Sequence, residues 1–420
     1  MAFYSDNNVK TRIIDPRIYV PGRRATFELD ASEAAYLPNL RLAVLGGTSN
    51  PAHSYSRLVG CAALIRSIRL LDGKQELCAL NEAQFYRGFQ QQNKANSSAE
   101  SVASNLNCTG IGLSVNGTNG KIARIAKTAS TDTPANVANT DTSLIDLKEM
   151  LPFLAAMTHL PTALFTNLRL EIEMDDNILS QVLVVNNVLL NTVRPVLIVD
   201  VLENPKVVNK LNKGLGAVQW AEVEHDQFVI PQSAADGATA ADQGIVQEVN
   251  VKLNGFNNKI LDRLLIVKEI SDPLKEIDTN AVQGYGKWSS QGCYKQTIQY
   301  RVNGSNILPR NGIVGNNERL AYVVDTYGEC ANYPGSNIYG MDTSDVMDAG
   351  RQYRAQLDYI GIFVGQYIQD LQIEYSRTGL HDTDTKRATT SALIAHCYGE
   401  VRKSFQLTGN GMYNIGYVQQ

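Results

Sequence analysis

In the run LRLEIEMD (168–175), Leu168, Leu170, Ile172 and Met174 alternate with Arg169, Glu171 and Glu173. A period of two places successive side chains on opposite faces, so the run predicts a strand with one buried and one polar face. The pattern returns 203 positions later in LQIEYSRT (371–378), where Leu371, Ile373 and Tyr375 alternate with Gln372 and Glu374. A second correspondence joins TFELDASEAAYLPNLRLAVL, from Thr26, to NVKLNGFNNKILDRLLIVKE, from Asn250. It runs without a gap at an offset of 224 and sets Leu29, Leu37 and Leu40 on Leu253, Leu261 and Leu264. Those leucines are therefore expected in the core.

A third correspondence is between hairpins. LIRSIRLLDGKQELCAL (64–80) carries Asp72-Gly73 between two β-prone runs, and TIQYRVNGSNIL (297–308) carries Asn303-Gly304, 231 positions on. Both dipeptides are signatures of a tight two-residue turn. This match contains a slip. Ile298, Tyr300 and Val302 map to Ser67, Arg69 and Leu71, while the apolar Ile68 and Leu70 lie one step out of register. Either a bulge absorbs the slip or the match is spurious.

A repeat of this length exceeds the roughly 20–50 residues of solenoid and propeller units, so it points to a duplicated domain. Short β-branched and aromatic runs separated by turn residues favour an all-β sandwich or barrel in each half. One helix is expected in SLIDLKEMLPFLAAM, after a Ser143 cap and kinked or ended by Pro152. ALIAHCYGEVRKSFQL (392–407), interrupted by Gly399, reads as strand. Two aperiodic stretches, 90–143 and 309–350, are rich in small and polar residues and are placed equivalently as long functional loops.

The boundaries that follow are an N-terminal arm over 1–24, a first domain over 25–201, a linker over 202–216 and a second domain over 217–420. The linker LENPKVVNKLNKGLG is assigned from its Asn, Lys, Gly and Pro content. The arm carries five basic residues against Asp6 and Asp15, yet Ile13-Ile14 and Ile18-Tyr19-Val20 are too apolar for a purely disordered tail. It is expected to dock on its own base or on a neighbouring subunit.

Composition adds exclusions. With 44% hydrophobic and 19% charged residues and a net charge of −4, nothing marks a dedicated nucleic-acid binder or a polybasic membrane-surface protein. No run is apolar enough for a membrane span, and the first residues lack the apolar segment of a secretory signal. The chain is expected to be made in the cytosol or nucleus and not secreted. Six cysteines include no CxxC pair, and a hairpin turning at 72–73 would set Cys78 opposite Ser67 and Cys61 opposite Gln84. Asn96, Asn107, Asn116 and Asn303 begin glycosylation sequons, of little weight without secretion.

Catalytic signatures are missing: no nucleophile elbow, P-loop, HExxH, EF-hand or dinucleotide fingerprint occurs. NGTNGK (116–121) and GYGKWSSQG (284–292) are glycine-rich near-misses that read as ordinary loops. His53, His159, His225, His381 and His396 are isolated in sequence, and each is expected in an ordinary hydrogen bond. His381-Asp382-Thr383-Asp384 reads as a solvated turn in preference to a cation site. Glu171 and Glu173 could pair for hydrolysis, but a solvent or interface row explains them more simply. No catalytic, cofactor-binding or metal-binding residue is assigned, and no cofactor is expected.

LIRSIRLLDGKQEL, LPFLAAMTHLPTALFTNLRLEIEMDD, LNGFNNKILDRLLIVKE and IQYRVNGSNILPRNG together resemble, in order and spacing, the double jelly-roll major capsid proteins of icosahedral double-stranded DNA viruses. The resemblance is to those of polinton-like viruses, virophages and large eukaryotic DNA viruses. It implies two tandem eight-stranded antiparallel jelly rolls with long inserted loops and a few short helices. It further implies a structural, non-enzymatic protein whose homotrimers form pseudohexameric capsomers in a virion shell. The partners implied are other copies of the chain, neighbouring capsomers, minor capsid and penton proteins, and an internal membrane or genome-side proteins met by the arm. Sequence-specific nucleic-acid binding is not implied. A tandem β-sandwich glycan-binding or attachment protein is the alternative, and a β-rich glycoside hydrolase a third class.

Overall fold

The computed structural model describes residues 9–29, 35–45, 62, 65–93, 114–115, 122–123, 143–174, 194–231, 247–270, 295–309, 312, 316–327, 358–378, 392–407 and 413–418. The strands of the first half are β1 (Val9–Ile14), β2 (Ile18–Val20), β3 (Arg24–Leu29), β4 (Ala35–Tyr36), β5 (Arg41–Leu45), β6 (Ile65–Asp72) and β7 (Gln75–Asn81). They continue as β8 (Ser114–Val115), β9 (Ile122–Ala123), β10 (Ser143–Asp146), β11 (Leu168–Met174) and β12 (Arg194–Leu202). The second half holds β13 (Val218–Ile230), β14 (Gln247–Lys252), β15 (Lys259–Ile270), β16 (Lys295–Val302), β17 (Ser305–Asn306), β18 (Asp358–Ile368), β19 (Leu371–Thr378), β20 (Leu393–Leu407) and β21 (Tyr413–Tyr417).

Sheet order establishes the duplication. The first half pairs its strands as β1-β12-β5-β10 and β3-β11-β6-β7, and the second as β13-β20-β15-β18 and β14-β19-β16-β17, all antiparallel. Numbered within each half, both sets read first-eighth-third-sixth and second-seventh-fourth-fifth, the two-sheet order of an eight-stranded jelly roll. The remaining strands are additions. β2 extends one sheet beyond β3, β8 and β9 form a small hairpin, and β4 and β21 pair with the ends of β12 and β20 that β5 and β15 leave free.

Register repeats as well as order. Leu29 faces Leu168 in the first half, and the Leu253 amide donates to the Leu371 carbonyl in the second, so the offsets of 224 and 203 describe one conserved pairing. Leu29, Leu40, Leu253, Leu261 and Leu264 are buried, while Leu37 is only half-buried.

The hairpin slip arises at the turn. Asp72 lies opposite Gln75, so the two-residue loop is Gly73-Lys74, and Gly73 alone takes positive φ (59°). In the other hairpin Asn303 (51°) and Gly304 (82°) both do, the type I′ pattern. The first turn thus sits one residue later than Asp72-Gly73, and the structural offset is 230. Ile68 and Leu70 then match Ile298 and Tyr300, which face the corresponding residues of β11 and β19. Because a one-residue shift exchanges the two faces of a strand, this single step accounts for the misplaced apolar residues. A register shift between Leu70 and Leu71 places Cys78 opposite Leu70, not Ser67; Cys78 is a buried free thiol, and Cys61 lies outside the described residues.

Four other expectations change. Residues 143–146 form a strand because they pair with β5, and the helix begins only at Pro152 (Pro152–Ala156), where proline's missing amide is harmless. The presumed linker contains the helix Pro205–Lys213, capped by Asn204, whose side chain accepts from the Lys206 amide at 3.1 Å. Its Val208 packs with Ala35 and Leu202 on the outer face of the first sheet. Residues 9–14 of the presumed arm are the first strand of the first jelly roll, paired with Leu197–Leu202, so the fold begins within the arm. The two stretches expected as loops open on helices, Ala83–Asn93 and Asn316–Tyr327, both following the fifth strand of their jelly roll. Of the run 392–407, expected as strand, Leu393–Leu407 is strand.

Candidate functional site: the joint between the two halves

The features richest in buried polar groups lie where the halves meet. One hydrophobic cluster is continuous across the boundary and includes Phe85, Phe89, Phe153 and Phe165 with Trp220, Val223, Leu265, Val267, Tyr398 and Phe405. The second half has its own core around Phe256, Leu264, Tyr300 and Ile373. A strand alternates its faces, so Leu264 and Ile266 of β15 point into that core while Leu265 and Val267 point at the first half.

The helix Ala83–Asn93 supplies three of the aromatic contacts across the boundary. Glu82, with φ of 46°, turns the chain out of β7, and its carbonyl accepts from the Tyr398 hydroxyl at 2.6 Å. Phe85 stacks on His396 with centroids 4.3 Å apart, Tyr86 packs on Tyr398 at 5.3 Å, and Phe89 meets Tyr327 edge-on at 4.8 Å. Farther along, Phe153 packs on Trp220 at 5.0 Å and Phe165 on Tyr413 at 5.2 Å. Asp72 ties the hairpin turn to both sides. It accepts from the Asn167 amide at 2.7 Å and from the Tyr413 hydroxyl at 2.6 Å.

Glu222 and Glu400 make further polar contacts across the boundary. Glu222 accepts from the Ala79 amide at 2.8 Å and from Trp220 Nε1 at 2.5 Å, with Lys403 Nζ 3.8 Å away. Burial raises its pKa, opposed chiefly by Lys403. Burial likewise raises Glu400, which receives the Tyr86 hydroxyl at 3.4 Å and faces Arg263 at 3.6 Å. His225 Nε2 lies 3.0 Å from His396 Nδ1, and His396 Nε2 lies 3.1 Å from Glu269. Burial, then the neighbouring His396, lowers the His225 pKa to about 3, so the ring is neutral at neutral pH. His225 also lines a polar cleft of about 470 Å³ with Arg66, Arg69, Glu82, Glu173 and Asp226.

The histidines are isolated in sequence, and two of them converge in space on a hydrogen bond to one another. They are 171 positions apart, and only the pairing of β13 with β20 brings them together. His159 instead bonds Asn212 at 2.8 Å, in the ordinary manner expected; His53 and His381 lie outside the described residues. Glu171 is tied to Arg24 at 2.8 Å and Arg169 at 3.2 Å, and Glu173 accepts from Ser67 at 3.1 Å. They belong to a charged ladder across the outer face of β3, β11 and β6. Asn303 holds its turn with three bonds, donating to the Tyr367 carbonyl and accepting from the Gln369 and Asp370 amides, which leaves its amide engaged and ill-suited to carry a glycan. Both glycine-rich near-misses and Asp382 and Asp384 fall outside the described residues. Among the described residues no group of His, Cys, Asp and Glu is placed to hold a metal ion, and no helix is long and apolar enough to cross a membrane. The arrangement is suited to holding two lobes together.

No family model and no curated protein sequence matches the chain. Solved structures do. The mavirus major capsid protein superposes with a TM-score of 0.55 at 9% identity, covering 98% of this chain and 90% of that one. A chain of the Sputnik virophage gives 0.58 at 9% identity over 98% and 89%, and one of the PBCV-1 virus capsid gives 0.56 at 11% over 98% and 97%. At such identities the likeness is one of fold, and with the strand order it establishes that the chain has the double jelly-roll architecture found in these viral capsid structures.

Proposed function

We propose that this chain is the structural major capsid protein of an icosahedral double-stranded DNA virus, and that three copies form a pseudohexameric capsomer that tiles the shell. The supporting observation is the pair of eight-stranded rolls of identical order, fused through a continuous hydrophobic joint into one two-lobed unit. Three such units supply six similar lobes, and closed cyclic symmetry is the usual outcome for identical subunits. The lobes act as domains, β1 to β12 and β13 to β21, with the helix Pro205–Lys213 between them. The protein has no catalytic role on this reading. It resides in the virion, contacting neighbouring capsomers, minor capsid and penton proteins and genome-side components.

Native mass spectrometry at low micromolar concentration, with negative-stain imaging of the same sample, tests the proposal. The expected species is about 138 kDa, three times 46.1 kDa, with a hexagonal outline. A monomer or dimer that binds glycans would replace the capsid reading with that of an attachment protein.

A further inference from the structure

The duplicated register allows the outer faces of the two equivalent sheets to be compared position by position. In the first half one row across the sheet is Ile13, Ile198 and Arg41; in the second the equivalent row is His225, Tyr398 and Leu265. The adjoining row pairs Val196 with Ala43 in the first half and His396 with Val267 in the second. The second-half face is covered by the first half: Tyr398, His396, Leu265 and Val267 are buried, with Phe85 and Tyr86 lying on it.

The first-half face has no such cover over its middle. Ile13 is 69% exposed, Arg41 and Thr11 are exposed and Ile198 is half-buried. Ala43 and Val196 are buried at one end, and the helix Pro205–Lys213 covers Leu202 at the other. An exposed isoleucine therefore stands in the row whose counterpart, one half later, lies against the first lobe.

We infer that the outer strip formed by Ile13, Ile198 and Arg41 is the docking surface for the second lobe of a neighbouring copy. The inference rests on the capsid reading and deepens it. Within one chain, lobe one covers this face of lobe two; between chains, lobe two covers the same face of lobe one, and repetition of that step closes a ring. The two contacts are not identical in detail. The Ala79 amide bonds Glu222 across the intrachain joint, whereas the corresponding Leu308 amide is taken by Gln299 of its own lobe. The contact between chains therefore lacks that buried carboxylate, and the strip has Ile13 and Ile198 where the intrachain face has His225 and Tyr398. Apolar burial has the larger part there.

The test compares the wild type, the double variant Ile13→Glu/Ile198→Glu, and Val20→Glu, which charges an exposed apolar residue on the other sheet. Native mass spectrometry should give three chains for the wild type and Val20→Glu and one chain for the double variant, with its circular dichroism unchanged. A trimeric double variant overturns the inference while leaving the capsid reading intact; a monomeric wild type overturns the capsid reading itself. Should the double variant fail to fold, thiol labelling decides. The Ile13→Cys thiol should react more slowly than the Val20→Cys thiol in the assembled protein, and equal rates overturn the inference.

Discussion

Replacing His225 and His396 by the residues at the equivalent first-half positions, His225→Ile and His396→Val, removes a buried polar pair and should flatten the acid sensitivity of the fold. The ring of His225 titrates near 6.5 when unfolded and near 3 when folded, so folding favours its neutral form. A depressed folded pKa contributes stability that is complete above the unfolded value and is lost as pH falls towards the folded one. The window is therefore pH 6.5 down to about 3. Between pH 7 and pH 5 the unfolded ring takes up about 0.7 of a proton that the folded one refuses, and the loss is about 2 kcal/mol. Glu222 and Glu400, raised by burial, act in the opposite sense and are common to both proteins, so they cancel in the comparison. Trp220, buried beside Glu222, supplies the signal once Trp288, outside the described residues, is changed to Phe. Urea unfolding followed by its fluorescence at pH 7 and pH 5 should show a stability drop about 2 kcal/mol larger in the wild type than in the double variant. Equal drops would show that burial of His225 does not make the fold acid-sensitive, and the reasoning from burial would fail.

Leu40→Ala and Leu264→Ala should each destabilise by about 2–5 kcal/mol in the same assay, since both sites are fully buried; a loss below 1 kcal/mol would deny them a core role. Glu222→Ala strands the Ala79 amide and Trp220 Nε1 and should cost about 1–3 kcal/mol for each, whereas Glu222→Gln, which keeps an acceptor, should cost less. Deleting residues 1–14 removes β1 and bares the edge of β12, so the product should be insoluble or unfolded by circular dichroism; a well-folded truncated chain would return those residues to the status of a detachable arm.

Repetition made most of the fold readable from sequence. Two independent offsets, 224 and 203, each align an apolar alternation, and both are needed to reproduce one strand pairing, Leu29 with Leu168 and Leu253 with Leu371. Local chemistry misled where tertiary pairing outweighed it. Ser143 has the form of a helix cap, but its segment is claimed by β5, and Asp72-Gly73 has the form of a type I′ turn, but Asp72 is occupied in bonding Asn167 and Tyr413. The helix at 205–213 was legible in principle from Asn204-Pro205, the spacing of Val207, Val208 and Leu211, and Gly214; its Asn and Lys content concealed it. The joint was not legible. His225 and His396 meet through the pairing of β13 with β20, and Ala79 and Glu222 through the packing of one lobe on the other, and no local pattern encodes either encounter.

The aromatic face of the helix Ala83–Asn93 has a consequence during synthesis. Its partners on β20, His396 and Tyr398, are translated about 300 residues after the helix is complete. At roughly 5–20 residues per second the ribosome takes on the order of 15–60 s to cover that distance. The first lobe can close its own sheets in the interval, yet Phe85, Tyr86 and Phe89 must wait in water for the surface they were shaped to meet. Until the second lobe arrives, these rings are apolar surface without the partners they have in the finished fold, the kind of surface that makes incomplete chains prone to associate.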